Sequence, residues 1–234
     1  MKCTSCSCSE KRRAIEMMIL VLFSVAAISF TDWVLRPEYM VKSLIKIVLF
    51  FALPMLYSAY NGKLDIKTLF GSGSHKKGIG EALLWGTGIF ILIIGAYITL
   101  GRFFDFSGIT INLETEMGIN KNNFVYVAVY ISFANSFLEE FFFRGFSCLK
   151  LQKYVSRKAA YLFSSIIFAL YHVAMMAVAF EPALVIVSLV GLVVGGIIFN
   201  YFNEKYGNIY ISWLIHMGAN FAINGIAMTL FGII

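Results

Sequence analysis

The sequence predicts an all-α fold, a polytopic helical bundle embedded in a membrane with about seven transmembrane helices, or eight. Three observations lead there. Hydrophobic residues make up 59% of the chain and charged residues only 14%, where a soluble domain carries about 25% charged residues, and the mean hydropathy is +0.80. The apolar residues collect in runs of about 20, long enough to cross a hydrocarbon core of about 30 Å. A small set of ionisable and amide side chains falls inside these runs instead of between them.

Seven runs qualify, near residues 14–35, 41–60, 81–100, 123–143, 159–180, 183–200 and 211–232. The first follows Lys2, Lys11, Arg12 and Arg13 and lacks the small-residue cleavage pattern of a secretory signal, so it reads as a retained anchor. Cys3, Cys6 and Cys8 precede it without a fourth ligand nearby and read as a plain terminus, not a zinc site; Cys148 stands alone. Lys42 and Lys46 lie near the start of the second run, where long cationic side chains can snorkel to the headgroups. The connector from Asn61 to Gly80 mixes Gly71, Gly73, Gly78 and Gly80 with Lys63, Lys67, His75, Lys76 and Lys77 and reads as a solvated loop. The third run leads into an acidic connector, Arg102 to Asn120, with Asp105, Glu114 and Glu116.

The fourth run ends on Glu139, Glu140 and Arg144, with Phe141 to Phe143 between them as lipid or core contact. A basic connector, Ser147 to Lys158, separates it from the fifth run, which holds His172. In the sixth, Gly191 and Gly195 have the spacing of a close-packing helix face. The seventh carries His216 and Asn220. No soluble domain fits between the runs.

The net charge of +6 has a membrane explanation. Lys and Arg cluster before the first run, between the second and third, and between the fourth and fifth, which predicts a cytoplasmic N-terminus. No basic patch interleaved with aromatics appears, so a nucleic-acid partner is not expected. On that topology His216 lies about 9 Å into its helix, near the depth of Glu139, whereas His172 counts to about 20 Å. Either the fifth helix begins early or the site sits deep.

Ionisable groups at bilayer depth cost about 2.5–3.5 kcal/mol each on insertion scales, so they face one another or a cavity. Glu140 and Arg144 are one helical turn apart and can pair, while Glu139 points about 100° away and is free for other work. Taken singly, each residue has a bland reading: a buried ion pair, a core histidine, an amide joining helices. Together, two carboxylates, two imidazoles and an amide can activate a water and hold an oxyanion.

Three motifs carry a family resemblance. Glu139-Glu140-Phe141-Phe142-Phe143-Arg144, Phe168-Ala169-Leu170-Tyr171-His172 and His216-Met217-Gly218-Ala219-Asn220 follow E-E-x-x-x-R, F-x-x-x-H and H-x-x-x-N in order. They resemble the CPBP intramembrane proteases, the CAAX-protease and bacteriocin-processing or Abi family, and are similar to type II CAAX prenyl endopeptidases, over residues 120–234. The resemblance alone implies a division into an N-terminal transmembrane region, 1–119, and a catalytic membrane region, 120–234. It also implies hydrolysis of a peptide bond in a membrane-associated or lipidated substrate. It assigns water activation to Glu139 and His172, oxyanion stabilisation to His216 and Asn220, and orientation to Glu140 and Arg144. Family members commonly have eight spans.

A glutamate mechanism without cofactor is favoured, with zinc on Glu139, His172 and His216 as the alternative, since H-E-x-x-H is absent. The expected partners are the bilayer and a peptide or lipidated protein, in a prokaryotic cell membrane. Two other functions stay open: a transporter using the same intramembrane charges, and a non-enzymatic bacteriocin-immunity or scaffold protein.

Overall fold

The computed structural model describes residues 8–61, 64–71 and 75–234, and among them all regular structure is helical. Eight rods follow one another. They are α1 (Cys8–Leu35) and α2 (Tyr39–Asn61), α3 (His75–Leu100), α4 (Ser107–Met117), α5 (124–150), α6 (Arg157–Ala179), α7 (Pro182–Tyr206) and α8 (Tyr210–Leu230). Local chemistry sets several ends. Ser156 caps α6 by accepting the Ala159 N–H, and α7 starts on Pro182 and stops at Gly207, whose φ of 67° suits glycine.

Among the described residues, five helices are long and apolar enough to cross a membrane: α1, α2, α3, α6 and α7, matching the first, second, third, fifth and sixth runs. The fourth and seventh runs are also helical, as α5 and α8, but do not reach the same apolar measure. These are the two helices that carry Glu139, Glu140 and Arg144, and His216, Asn220 and Asn224. The helix missing from the sequence reading is α4, inside the acidic connector. At 11 residues it is about 16 Å long, too short to span, and its Leu113 and Met117 pack on the cluster of Ile119, Phe124 and Ala128 instead.

The core forms where α2, α5 and α6 meet. Phe50 stacks on Phe142 at 4.2 Å between ring centroids, and Phe141, Phe142, Phe143 and Phe146 have no exposed surface, so this aromatic run is core and not lipid contact. The connector before α3 is more ordered than a solvated loop. Leu64, Ile66 and Leu69 are buried, and the Leu69 carbonyl accepts the Ile209 N–H at 3.2 Å. Lys150 donates to the Asp65 carbonyl and the Thr68 hydroxyl, and burial pushes its pKa down to about 8.

Helix packing is closest at glycines other than those expected. Gly191 and Gly195 meet nothing within 4 Å; their methylene faces point to open space. A Cβ on Gly196 would sit 3.0 Å from Ser165 of α6, and one on Gly218 of α8 would sit 2.5 Å from the Gly86 carbonyl oxygen of α3. The latter is a backbone-on-backbone crossing, which only a residue without a side chain permits.

Lys42 and Lys46 are buried against carboxylates instead of extending outward. Lys42 pairs with Asp32 at 2.7 Å, and Lys46 turns inward toward Glu139. Lys2, Cys3, Cys6, Lys63 and Gly73 lie outside the described residues, as do the side chains of His75, Lys76 and Lys77, although the backbone of His75 already opens α3. Cys8 is exposed and Cys148 buried, both as free thiols.

Candidate active site

The winding of α5 delivers the acidic pair. It passes from α to π at Ile131–Asn135, returns to α for Ser136–Glu139, then continues as π through Glu140–Lys150. Carbonyls around such rewound turns seek partners beyond the backbone ladder, and α8 and α6 supply them. Asn220 Nδ2 donates to the Ile131 carbonyl at 3.3 Å, Trp213 Nε1 to that of Phe133 at 3.0 Å, and Ser164 Oγ to that of Phe143 at 2.7 Å. Asn224 Nδ2 bonds the Ala128 carbonyl and Ser132 Oγ. These bonds hold α5 against the helices bearing the two histidines.

Glu139 and Glu140 are buried, with 2% and 0% of their surface exposed, and they converge on one imidazole. His216 Nδ1 lies 2.9 Å from Glu140 Oε1 and His216 Nε2 lies 3.9 Å from Glu139 Oε2. A ring spanning both carboxylates replaces the expected divergence of the pair. Oε1 of Glu139 accepts from Asn135 Nδ2 at 2.8 Å and from the Tyr171 hydroxyl at 3.2 Å, and Lys46 Nζ is 3.6 Å away.

Arg144 pairs with Glu140, as the spacing predicts, at 3.6 Å from Nε to Oε1. That contact is ionic without being a hydrogen bond, and the guanidinium is held by rings: it lies 3.8 Å from the Phe168 centroid and 4.9 Å from that of Phe199. Phe199 also stacks on His216 at 5.2 Å. His172 donates from Nδ1 to the Phe168 carbonyl at 2.8 Å, which leaves the Nε2 lone pair available. Phe168 stands between the imidazoles, 4.7 Å from His172 and 6.0 Å from His216.

The structure therefore gathers Glu139, Glu140, Arg144 and His216 in direct contact and brings His172 beside them through Phe168 and Tyr171. Asn220 sits one turn beyond His216, bonded to the α5 backbone. His172 is sixteen residues into α6, which begins at Arg157, two residues before the apolar run and within the basic connector. Among the described residues, no three of His, Cys, Asp and Glu form a group disposed to hold a metal ion. Three contributors escaped the sequence reading: Lys46, Asn135 and Tyr171. Lys46 gave the same signal as Glu139, a charge inside an apolar run, but its place near the run's start made snorkelling the simpler account.

Beside the cluster, an open apolar groove of about 290 Å³ runs between α2 and α5, lined by Ile47, Phe51, Tyr130, Ala134, Phe137 and Leu138. Ile47, Ala134 and Leu138 are chain neighbours of Lys46, Asn135 and Glu139, so the groove lies one residue from the carboxylate's anchors.

Comparison with known families decides among the readings this geometry allows. The model of the type II CAAX prenyl endopeptidase Rce1-like family matches residues 121–222, a stretch that contains all three motifs. Residues 121–222 are similar to that family. The match spans a little under half the chain, and it supports a membrane-embedded protease, a CAAX-type endopeptidase in general terms, acting on a peptide or protein. No curated protein and no solved structure matches the chain. Within the Rce1-like stretch lie Asn135, Glu139, Glu140, Arg144, Tyr171, His172, His216 and Asn220; Lys46 and Gly86 lie outside it.

Proposed function

We propose that the protein is a glutamate-type intramembrane endopeptidase in which Glu139 and His172 activate water and His216 and Asn220 receive the oxyanion, on a catalytic region comprising residues 120–234. The observation that carries this reading is the division of labour within the buried cluster. Glu140 occupies His216 Nδ1, so His216 can reach a reacting group only through Nε2, the atom that faces Glu139 Oε2. His172, with Nδ1 engaged on the Phe168 carbonyl, offers Nε2 as an acceptor to a water.

The steps follow from these roles. Glu139 takes a proton from water oriented by His172, and the resulting hydroxide adds to the scissile carbonyl carbon. The carbonyl oxygen becomes an oxyanion that receives hydrogen bonds from the Nε2–H of His216, acting as an imidazolium between its two carboxylates, and from the second amide hydrogen of Asn220, in a site where low dielectric strengthens both. Glu139 then returns its proton to the departing amine as the C–N bond breaks, leaving an amine and a carboxylic acid that ionises to solvent. No step requires a metal. The groove between α2 and α5 is apolar and open, suited to a prenyl chain or a hydrophobic peptide segment arriving from the bilayer. Basic loops on one side support a cytoplasmic N-terminus.

Reconstituted full-length protein, given prenylated C-terminal peptides and single-span substrates, should release fragments detectable by mass spectrometry. Glu139→Gln should lower turnover about 10²–10⁴-fold, the usual weight of a general base, with folding retained. Undiminished cleavage by that variant, or ion flux that depends on Glu139 in the absence of cleavage, would overturn the proposal.

A further inference from the structure

We infer that Lys46 is a positioning residue of the active site: acting through Asn135, it ties down Oε1 of Glu139 so that Oε2 is the oxygen that accepts the proton from water. The inference rests on the protease reading above and adds a residue from α2, outside the Rce1-like stretch.

The chemistry of the donors makes the relay directional. Lys46 Nζ can only donate, so the atom of Asn135 facing it at 2.6 Å must be Oδ1. With Oδ1 so engaged, Nδ2 of the same amide points to Glu139 Oε1 at 2.8 Å. The lysine thereby fixes which way the amide lies, and the amide fixes the carboxylate. Tyr171 adds a second hydrogen bond to the same oxygen at 3.2 Å, and the ammonium itself adds charge at 3.6 Å. Three groups thus act on Oε1. Oε2 faces His216 Nε2 across 3.9 Å, beyond hydrogen-bond range.

The placement of Lys46 is costly without such a task. Its side chain is 8% exposed, and an ammonium removed from water is retained where a partner compensates its desolvation. Lys42, one turn earlier, has Asp32 at 2.7 Å. Among the described residues, Glu139 is the acidic group within 4 Å of Lys46. The ammonium also lies 5.1 Å from the Tyr171 ring centroid, which holds it on the side of the carboxylate.

A lysine that only glued α2 to α5 would affect folding and substrate binding together. A positioning lysine acts on the chemical step, because displacing a reacting group by about 1 Å can cost about 10²-fold in rate. Full-length Lys46→Met in detergent or liposomes should therefore show kcat reduced about 10²-fold with KM within about twofold of wild type. Lys46→Arg, which restores a cationic donor, should recover to within about tenfold. Asn135→Ala leaves the lysine in place and should reproduce the Lys46→Met loss, and the double variant should be no slower than either single one, since both break one relay.

Folded Lys46→Met with wild-type kcat, or multiplicative losses in the double variant, would overturn the inference. Should Lys46→Met fail to fold, Asn135→Ala reads the relay alone, and wild-type kcat in that variant is equally decisive. Glu139→Gln run in parallel separates the two claims: if it is inactive while Lys46→Met is not, only the role of Lys46 falls, and if it stays active, the protease reading falls with it.

Discussion

Arg144 tests the electrostatic account of the site most directly, because it heads the large side chains with no exposed surface and its only ionic partner among the described residues is Glu140. Arg144→Met keeps a flexible apolar stem against Phe168 and Phe199 but removes the cation. Truncating one partner of a buried pair costs about 3–5 kcal/mol, chiefly because the other charge is left uncompensated. The two ring contacts, at 3.8 and 4.9 Å, add to the loss, since a desolvated cation over an aromatic face is worth about 2 kcal/mol. His216 Nδ1, 2.9 Å from the same Glu140 oxygen, still supplies one hydrogen bond and places the expected loss near the lower end of the range, about 3 kcal/mol. Glu140→Gln/Arg144→Met removes both charges and should recover much of that, giving a coupling energy of about 2 kcal/mol. Unfolding of the full chain by SDS titration in mild detergent, followed by tryptophan fluorescence, measures all four corners of the cycle. Trp213, bonded to the Phe133 carbonyl of α5, reports on the relevant interface. A loss below about 1 kcal/mol for Arg144→Met, or additivity in the double variant, would refute the claim that Arg144 neutralises Glu140.

Two further outcomes follow from packing and burial. Gly218→Ala would press a methyl group to 2.5 Å from the Gly86 carbonyl oxygen, a backbone atom that cannot swing aside. It should destabilise the protein by about 1–3 kcal/mol in the same titration and slow cleavage by displacing His216; a variant as stable and active as wild type would contradict the crossing. Lys150 has a folded pKa of about 8 against an ordinary 10.5. Below pH 8 it is protonated in both states and its burial penalty is present in full, whereas between those values only the unfolded chain holds the proton, so stability should rise with pH across that window. Thermal melts over this range should show the rise in wild type and its loss in Lys150→Met; equal slopes would refute the burial of that ammonium.

Sequence reasoning reached the buried polar cluster through one physical rule, that a charge inside an apolar run needs a reason. The rule singled out Glu139, Glu140, Arg144, His172, His216 and Asn220, and the same polar residues explain why α5 and α8 fall short of the apolar measure the other spans meet. It overlooked Lys46 because a lysine near a segment end has a cheaper explanation. Asn135 and Tyr171 were missed because their chemistry is ordinary until a carboxylate lies beside them. The convergence of both glutamates on His216 could not be read from a 3.6-residue period, since Glu140 opens a π-wound stretch. The close glycine contacts were assigned to Gly191 and Gly195 on spacing alone, whereas Gly86 and Gly218 belong to helices far apart in the chain. Helix α4 was invisible as a helix because its length and composition suit neither a span nor a soluble core.

The crossing of Gly86 and Gly218 has a bearing on recombinants. One of its two backbones belongs to a segment that precedes the Rce1-like stretch, so residues 121–222 do not hold His216 at its working height by themselves. A hybrid that joined this C-terminal half to a foreign leading half would inherit every motif letter, yet it would keep the imidazole beside its two carboxylates only if the foreign helix let its backbone lie as close to Gly218 as that of Gly86 does, where even a Cβ on Gly218 would come within 2.5 Å. Catalytic competence here is thus a property of how two halves mesh, and a glycine that performs no chemistry acts as the gauge.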